Sequence, residues 1–238
     1  MKTILNITMK EFKSYFYSPL AYVVLCVFSI LSGYFFTAII FETKNANAFS
    51  SFVGVLSELF LILIPVITMK LFAEENKAGT FELLLSYPLK SWHIVCGKFL
   101  GAFLFTMTML IPVVFYISFL QMYSVPDYGL IITSLIGLVM LIMTFVSVGL
   151  FSSVITKSQV VASISGFGIL LLLWAIDWFK AHVNYTFSRF LSYISLKHNF
   201  NWFVQGIVDT RAIVLFATFT VFMLLVTVKI IEDKRYSS

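Results

Sequence analysis

Six long apolar stretches dominate this chain of 238 residues. Each approaches the roughly 20 residues that an α-helix needs to cross the hydrocarbon core of a bilayer. They run from 19 to 41, 52 to 69, 99 to 123, 130 to 155, 160 to 176 and 212 to 228. Only 11% of the residues are charged, whereas soluble domains carry roughly 25%. The sequence therefore predicts an all-α integral membrane protein, with residues 1–238 forming a single six-helix transmembrane domain.

The lysines and arginines are unevenly distributed among the connecting segments. With the N-terminus inside, eleven of the sixteen cations fall on the cytoplasmic side, and four of the other five share one long outer connection. Because positive charge is retained in the cytoplasm, both termini are predicted to be cytoplasmic, with residues 229–238 as a tail. The net charge of +5 is interpreted as topological, since the cations form no single patch for nucleic acid.

The first 18 residues have the pattern of an amphipathic helix. They contain no continuous apolar run, so a cleaved signal peptide is not expected. Apolar and basic side chains fall on separate helical stripes, with Leu5, Met9, Phe12 and Phe16 on one and Lys10 and Lys13 on the other. This pattern predicts a helix in the membrane interface, its apolar side in the acyl boundary and its lysines at the headgroups. A solvated basic tail is the alternative.

The segment from 70 to 98 is the most polar part of the chain, and we expect it to face the cytoplasm. Gly79 ends the incoming helix. Thr80 can cap a new helix with Glu82 in its first turn, where the helix dipole favours a carboxylate. Pro88 then stops that helix. Local rules alone thus predict a short cytoplasmic helix between the second and third spans.

The outer connection, residues 177–211, mixes charges with many apolar and aromatic side chains. This composition is too apolar for a solvated loop. Helices that enter the outer leaflet partway would bury the apolar side chains and leave the charged groups solvated. We therefore predict partly re-entrant outer helices, with a turn around Lys197 to Asn201.

Glu58 lies inside the second span. An ionisable group at membrane depth is by default a functional hypothesis, because burying its charge is costly. The alternative is structural, since Glu58 lies only about 9 Å along the helix from Phe52, within reach of interfacial water. Glu58 is therefore a candidate translocation residue, and the alternative is a structural residue in contact with interfacial water.

No catalytic, cofactor or metal motif is found in the sequence. Gly97 and Lys98 resemble the end of a phosphate-binding loop, but Trp92 stands where that loop needs glycine, and Phe99 replaces its serine or threonine. We therefore do not expect this chain to bind ATP. Several glycines within the spans could allow close helix contacts, namely Gly33, Gly137, Gly149, Gly166 and Gly168. No GxxxG pair falls within the six spans as placed, so ordinary packing is favoured.

The run TMKLFAEENKAGTFELLLSYPLKSWHIVCGKFLGA, from Thr68 to Ala102, resembles the ABC-2 type permease family, particularly its gliding-motility-type subfamily. Weaker likenesses at 10–24 and 198–216 extend the resemblance over almost the whole chain. The positions that carry the motif are Phe72, Ala73, Glu74, Glu75, Gly79, Thr80, Glu82, Pro88, Gly97 and Lys98.

The resemblance implies a fold and a set of partners. Family members are similar in having six spans, an interfacial N-terminal helix, a coupling helix between spans two and three, and partly re-entrant outer helices, as in type V exporters. It further implies a multi-pass protein of the bacterial cytoplasmic membrane. Two permease chains, identical or homologous, meet there, and each docks on a separate ATPase subunit that holds ATP and Mg. An extracytoplasmic accessory protein is a further class of partner.

The resemblance also assigns roles to the motif residues. Those implied to touch the ATPase are Glu74, Glu75, Thr80, Glu82 and Tyr87, with Gly79 and Pro88 shaping the turns and Gly97 and Lys98 as structural positions. Lys70 departs from the family, where arginine is common, and a lysine lacks the planar fork for bidentate contacts.

Two functions from different classes follow. The first is a non-catalytic permease subunit of an ATP-driven exporter. The second is a stand-alone ion-coupled transporter or channel in which Glu58 is the essential carboxylate. The second leaves the polar segment between spans two and three without a role.

Overall fold

The computed structural model describes residues 2–43, 48–81, 90–123, 127–179 and 184–237. Over these ranges the chain forms α-helices and no strand. The helices are α1 Lys2–Phe16, α2 Pro19–Thr43, α3 Ala48–Thr68, α4 Lys70–Ala78, α5 Ser91–Thr108, α6 Ile111–Tyr123, α7 Tyr128–Ile155, α8 Gln159–Phe179, α9 Tyr185–Ile194, α10 Leu196–Val204 and α11 Thr210–Ser237.

Six helical stretches are long and apolar enough to cross a membrane. They are Pro19–Glu42, Ala48–Ala78, Ser91–Gln121, Tyr128–Ile155, Gln159–Phe179 and Thr210–Arg235. The predicted all-α protein with six membrane-spanning helices is confirmed. The third stretch is two helices in line, α5 and α6, which meet at Met109 and Leu110. Pro112 follows that junction and lacks the N–H that would continue the helical hydrogen bonds across it.

α7 forms the centre of the bundle, in contact with α3, α4, α5, α8, α10 and α11. Its small residues let neighbouring helices approach closely. A Cβ added at Gly137 would clash with Phe203 of α10, and one added at Gly149 would clash with Thr68 of α3. Phe145 lies between these two glycines in the sequence and is completely buried. The fold is therefore built around one buried central helix.

α1 packs across the first half of α5. A Cβ on Gly97 would lie 2.5 Å from Ile7 Cγ2, and a Cβ on Gly101 would lie 2.6 Å from Glu11 Cβ. Gly97 and Gly101 are a GxxxG pair, so the expectation that no such pair falls within a span was wrong. The error arose because the third span was started at Phe99, whereas α5 begins at Ser91.

The apolar stripe predicted for α1 is divided between two environments. Leu5 and Met9 are exposed, at 65% and 46%. Phe12 and Phe16 instead pack against each other and against the core, with the ring centroid of Phe16 5.7 Å from that of Phe105. Half of the predicted membrane-facing stripe is thus used to hold α1 on the bundle.

At the opposite end of the bundle, α9 and α10 form a helical hairpin whose turn is at Ser195. The predicted turn over Lys197 to Asn201 is wrong, because those residues lie within α10. Ser195 Oγ caps α10 by accepting from the His198 N–H at 3.1 Å. Asn199 Nδ2 donates to the carbonyls that end α9, among them Ser192 O at 3.1 Å. The polar side chains here cap two helices instead of forming an open loop.

The hairpin inserts its tip alongside the spans. Ser50, near the start of α3, donates to Val204 O at the end of α10 at 2.6 Å. Lys197, at the start of α10, lies beside Glu58 instead, ten residues after the first residue of α3. At 1.5 Å per residue, the tip therefore reaches about 15 Å along α3 from its first residue. This register is the one that a re-entrant pair of helices requires.

Candidate functional site

The ammonium group of Lys98 joins three helices. Lys98 is only 2% exposed. Its Nζ donates to Glu11 Oε1 of α1 at 3.1 Å, to Glu75 Oε1 of α4 at 2.8 Å, and to the carbonyl of Leu71 at 2.7 Å. The ring of Phe72 lies 5.1 Å from Nζ. We call Lys98, Glu11 and Glu75 the Lys98 cluster.

Local packing places this lysine between α1 and α4. Gly97 and Gly101 flank Lys98 in α5 and lack the side chains that would hold α1 away. Because α1 lies so close, Glu11 reaches the ammonium. Glu75 Oε2 is buried and accepts no hydrogen bond from a residue that the structure describes.

Tyr15 ties α1 to the end of α3. Its hydroxyl donates to Ile67 O at 3.1 Å, and its ring stacks on Phe105 at 4.5 Å. Burial raises the pKa of the Tyr15 hydroxyl well above its ordinary value, and the charge of Glu11 raises it further, so the group stays a donor. The ammonium of Lys70 lies 4.1 Å from the centre of the same ring. Lys70 thus makes a cation–π contact, which a lysine can make without the planar guanidinium of the arginine common in the family.

Ser153, near the end of α7, secures the break between α3 and α4. Its Oγ accepts from the N–H groups of Phe72 at 2.9 Å and Ala73 at 3.1 Å, and donates to Met69 O at 3.0 Å. One turn later, Asn76 donates to carbonyls at the end of α7, including Thr156 O at 3.2 Å. α4 is therefore fixed to α7 on one side and to α1 and α5 on the other.

α4 ends where the sequence predicted. Gly79 is its C-cap with φ of 69°, the left-handed conformation that favours glycine, and its N–H donates to Glu75 O. Glu74, Lys77 and Thr80 are exposed around this end. The remaining motif residues that the resemblance assigned to coupling, Glu82, Tyr87 and Pro88, lie outside the described residues, as does most of the short helix predicted there.

Glu58 lies in the middle of α3, away from the Lys98 cluster. Its side chain is 61% exposed, and Oε1 lies 3.6 Å from Lys197 Nζ. The structure therefore separates the candidate residues into two places. Glu75, Gly79, Gly97 and Lys98 come together at the α4 junction, and Glu58 stands apart from them.

Sequence reasoning missed several residues of the junction. Glu11, Ser153 and Asn76 lie 87, 55 and 22 residues from Lys98 in the chain, and no local pattern joins them to it. The GxxxG pair at Gly97 and Gly101 was the one available signal, since it marks a face of α5 that accepts another helix.

Comparison with known proteins agrees with this architecture. The sequence model of the family described as ABC-2 family transporter protein matches residues 5–231. The match begins within α1, includes the first five spans and the α9–α10 hairpin, and ends within the sixth span. No curated protein matches the chain.

Proposed function

The chain belongs to the ABC-2 transporter family, and from this premise we propose that it is the permease subunit of an exporter driven by a separate ATPase subunit. The family match and the six apolar helices make it a multi-pass membrane transport protein. The pairing with an ATPase, the direction of transport and the cytoplasmic position of both termini belong to the proposal.

The observation that carries the proposal is the bracing of α4. This helix continues the second span beyond its break and is held by the Lys98 cluster and by Ser153. It ends at an exposed edge formed by Glu74, Lys77 and Thr80. A stand-alone channel has no need for a braced polar helix at the end of a span. A permease needs such a helix, because a cytoplasmic partner must transmit its movement to the spans.

The proposed mechanism follows the contacts. The ATPase docks on the exposed end of α4 and on the segment that begins at Gly79, where it meets Glu74, Thr80, Glu82 and Tyr87. Closure of the ATPase around ATP displaces this segment. Because α4 is bonded to α1, α5 and α7, these helices shift together and tilt spans two, three and four.

The remaining parts of the proposal rest on the resemblance. From the resemblance of the run Thr68 to Ala102, we propose that the chain is a gliding-motility-type permease of the bacterial cytoplasmic membrane. A second permease chain, identical or homologous, completes the pathway, and ATP and Mg are held by the ATPase. The alternative, an ion-coupled transporter that uses Glu58, gains no support from a carboxylate that is already beside a lysine.

Co-purification with quantitative mass spectrometry tests the proposal. The tagged chain is isolated in mild detergent from its native host, and we expect a stoichiometric ATPase with a phosphate-binding loop. Glu82→Lys reverses a charge in the docking segment and should reduce the retained ATPase about tenfold, with membrane insertion unchanged. Glu232→Lys makes the same charge change on the exposed end of α11 and is the matched control.

The two possible failures have different meanings. A wild-type chain that reproducibly purifies without any ATPase contradicts the permease proposal. Equal retention by Glu82→Lys and Glu232→Lys removes only the contact assigned to Glu82.

A further inference from the structure

The ion pair at the hairpin tip is built from three separate helices. Lys197 begins α10, Glu58 is in the middle of α3, and two tryptophans come from the end of α8. Lys197 Nζ lies 3.6 Å from Glu58 Oε1. It also lies 5.5 Å from the ring centre of Trp174 and 5.9 Å from that of Trp178. We call these four side chains the hairpin-tip site.

The Lys197 ammonium and the Glu58 carboxylate have hydrogen-bonding capacity beyond their ion pair. A distance of 3.6 Å is an ion pair without a good hydrogen bond. Among the residues that the structure describes, Lys197 Nζ donates no hydrogen bond and the Glu58 carboxylate accepts none. An ammonium has three donors, and a carboxylate can accept about four hydrogen bonds. Both groups can therefore bind a further polar ligand while still paired.

The position of the site excludes plain lipid as its surroundings. Glu58 is about 15 Å along α3 from Ala48, within the length that spans the membrane. Its side chain is 61% exposed. Charged groups at such depth face a water-filled cavity or a protein partner, because hydrocarbon does not solvate them. The depth of the charges therefore favours a water-filled pathway or the second permease chain, instead of lipid, at this face of α3.

There is room for a ligand beside the carboxylate. Gly54 lies one helical turn before Glu58, on the same face of α3. A Cβ added at Gly54 would meet nothing within 4 Å. Trp178 is 61% exposed next to the charges, and its ring offers a surface for an apolar tail or an ammonium group. The site thus combines an anion, a cation, an aromatic face and open space.

From this arrangement we propose that the hairpin-tip site binds the headgroup of a zwitterionic amphiphile that carries an ammonium and a phosphate. The phosphate pairs with Lys197, the ammonium pairs with Glu58 and the Trp178 ring, and the headgroup occupies the space beside Gly54. A headgroup without an ammonium cannot pair with Glu58, and a headgroup without a phosphate cannot pair with Lys197. The inference rests on the proposed permease function and names the class of molecule that the pathway accepts.

Equilibrium binding to the purified full chain in detergent tests the site, with tryptophan fluorescence as the signal. The probes have equal acyl chains and carry phosphoethanolamine, phosphoglycerol or trimethylammonium headgroups. We expect the phosphoethanolamine probe to bind about tenfold more tightly than the other two, the effect of one additional charged contact. Glu58→Gln should remove the preference over phosphoglycerol, and Lys197→Gln should remove the preference over trimethylammonium.

Two further variants separate binding from folding. Gly54→Leu fills the space beside Glu58 without changing a charge, and should weaken phosphoethanolamine binding about tenfold while the melting temperature is kept. Gly168→Leu is its control, since a Cβ at Gly168 of α8 also meets nothing within 4 Å. The charge reversal Glu58→Lys with Lys197→Glu retains both charges and should retain the preference for the zwitterion.

The results that overturn the inference are distinct from those that overturn the permease proposal. The inference is wrong if the three probes bind the wild-type chain equally. It is also wrong if the preference survives both charge-removing variants and Gly54→Leu, because the site then does not discriminate among headgroups. Neither measurement uses an ATPase. A chain that retains its ATPase and shows no headgroup preference therefore loses only this inference.

Discussion

Replacing Lys98 with methionine is expected to lower the stability of the chain by about 3 kcal/mol, because two largely buried carboxylates then lose their shared cation. The side chains of Glu11 and Glu75 are only 12% and 23% exposed. Leu71 O also loses its donor. The change should appear as a lower melting temperature of the purified chain. With the ATPase still bound, it should also reduce the ATPase rate that depends on the permease.

Two controls separate the Lys98 cluster from a general effect of losing a lysine. Lys77→Met removes an exposed cation from the last turn of α4 and should leave the melting temperature unchanged. Adding Glu11→Gln and Glu75→Gln to Lys98→Met removes the uncompensated charges and should restore part of the stability. If Lys98→Met melts at the same temperature as Lys77→Met, the cluster does not hold the junction together.

Gly101→Ala is expected to destabilise the chain by about 1–3 kcal/mol, because the new methyl group has no space between α5 and α1. Its Cβ would lie 2.6 Å from Glu11 Cβ and 3.2 Å from the carbonyl of Thr8. α1 must therefore move away, which also draws Glu11 from Lys98. A lower melting temperature and faster tryptic cleavage at the lysines of α1 measure this displacement.

Gly168→Ala is the matched control for this substitution. It makes the same chemical change in the middle of α8, where the added Cβ meets nothing within 4 Å. Alanine is favoured over glycine inside a helix by about 0.5–1 kcal/mol, so this variant should be as stable as the wild type or slightly more stable. Equal melting temperatures for the two variants would mean that α1 does not depend on the glycine face of α5.

The sequence was sufficient for the features that depend on local chemistry. The six spans follow from runs of apolar residues, and the end of α4 follows from a single glycine in the left-handed conformation. The predicted hairpin turn over Lys197 to Asn201 was misplaced, because the polar residues of this stretch lie within α10. Ser195 and Asn199 instead satisfy the backbone groups at the ends of α9 and α10. Capping and turn formation use the same residue types, so composition does not distinguish them.

The junction required the structure because its partners are distant in the chain. Lys98 was identified only as a motif position, and neither Glu11 nor Ser153 carried a local signal. Glu75 shows a second difficulty. The resemblance implied that it touches the ATPase, and the structure places one of its oxygens on Lys98. One acidic residue can brace a helix inside the chain and also lie near a docking surface, and sequence does not separate these roles.

Hydrogen exchange measured by mass spectrometry on the complex with its ATPase tests whether the ATPase movement reaches the bundle through α4. The nucleotide-free complex is compared with the complex trapped by ATP and vanadate. We expect exchange to change together in α1, α4, the start of α5 and the end of α7, since the Lys98 cluster and Ser153 join them. A change confined to residues after Gly79, with these four helical segments unaffected, would contradict transmission of the ATPase movement through α4.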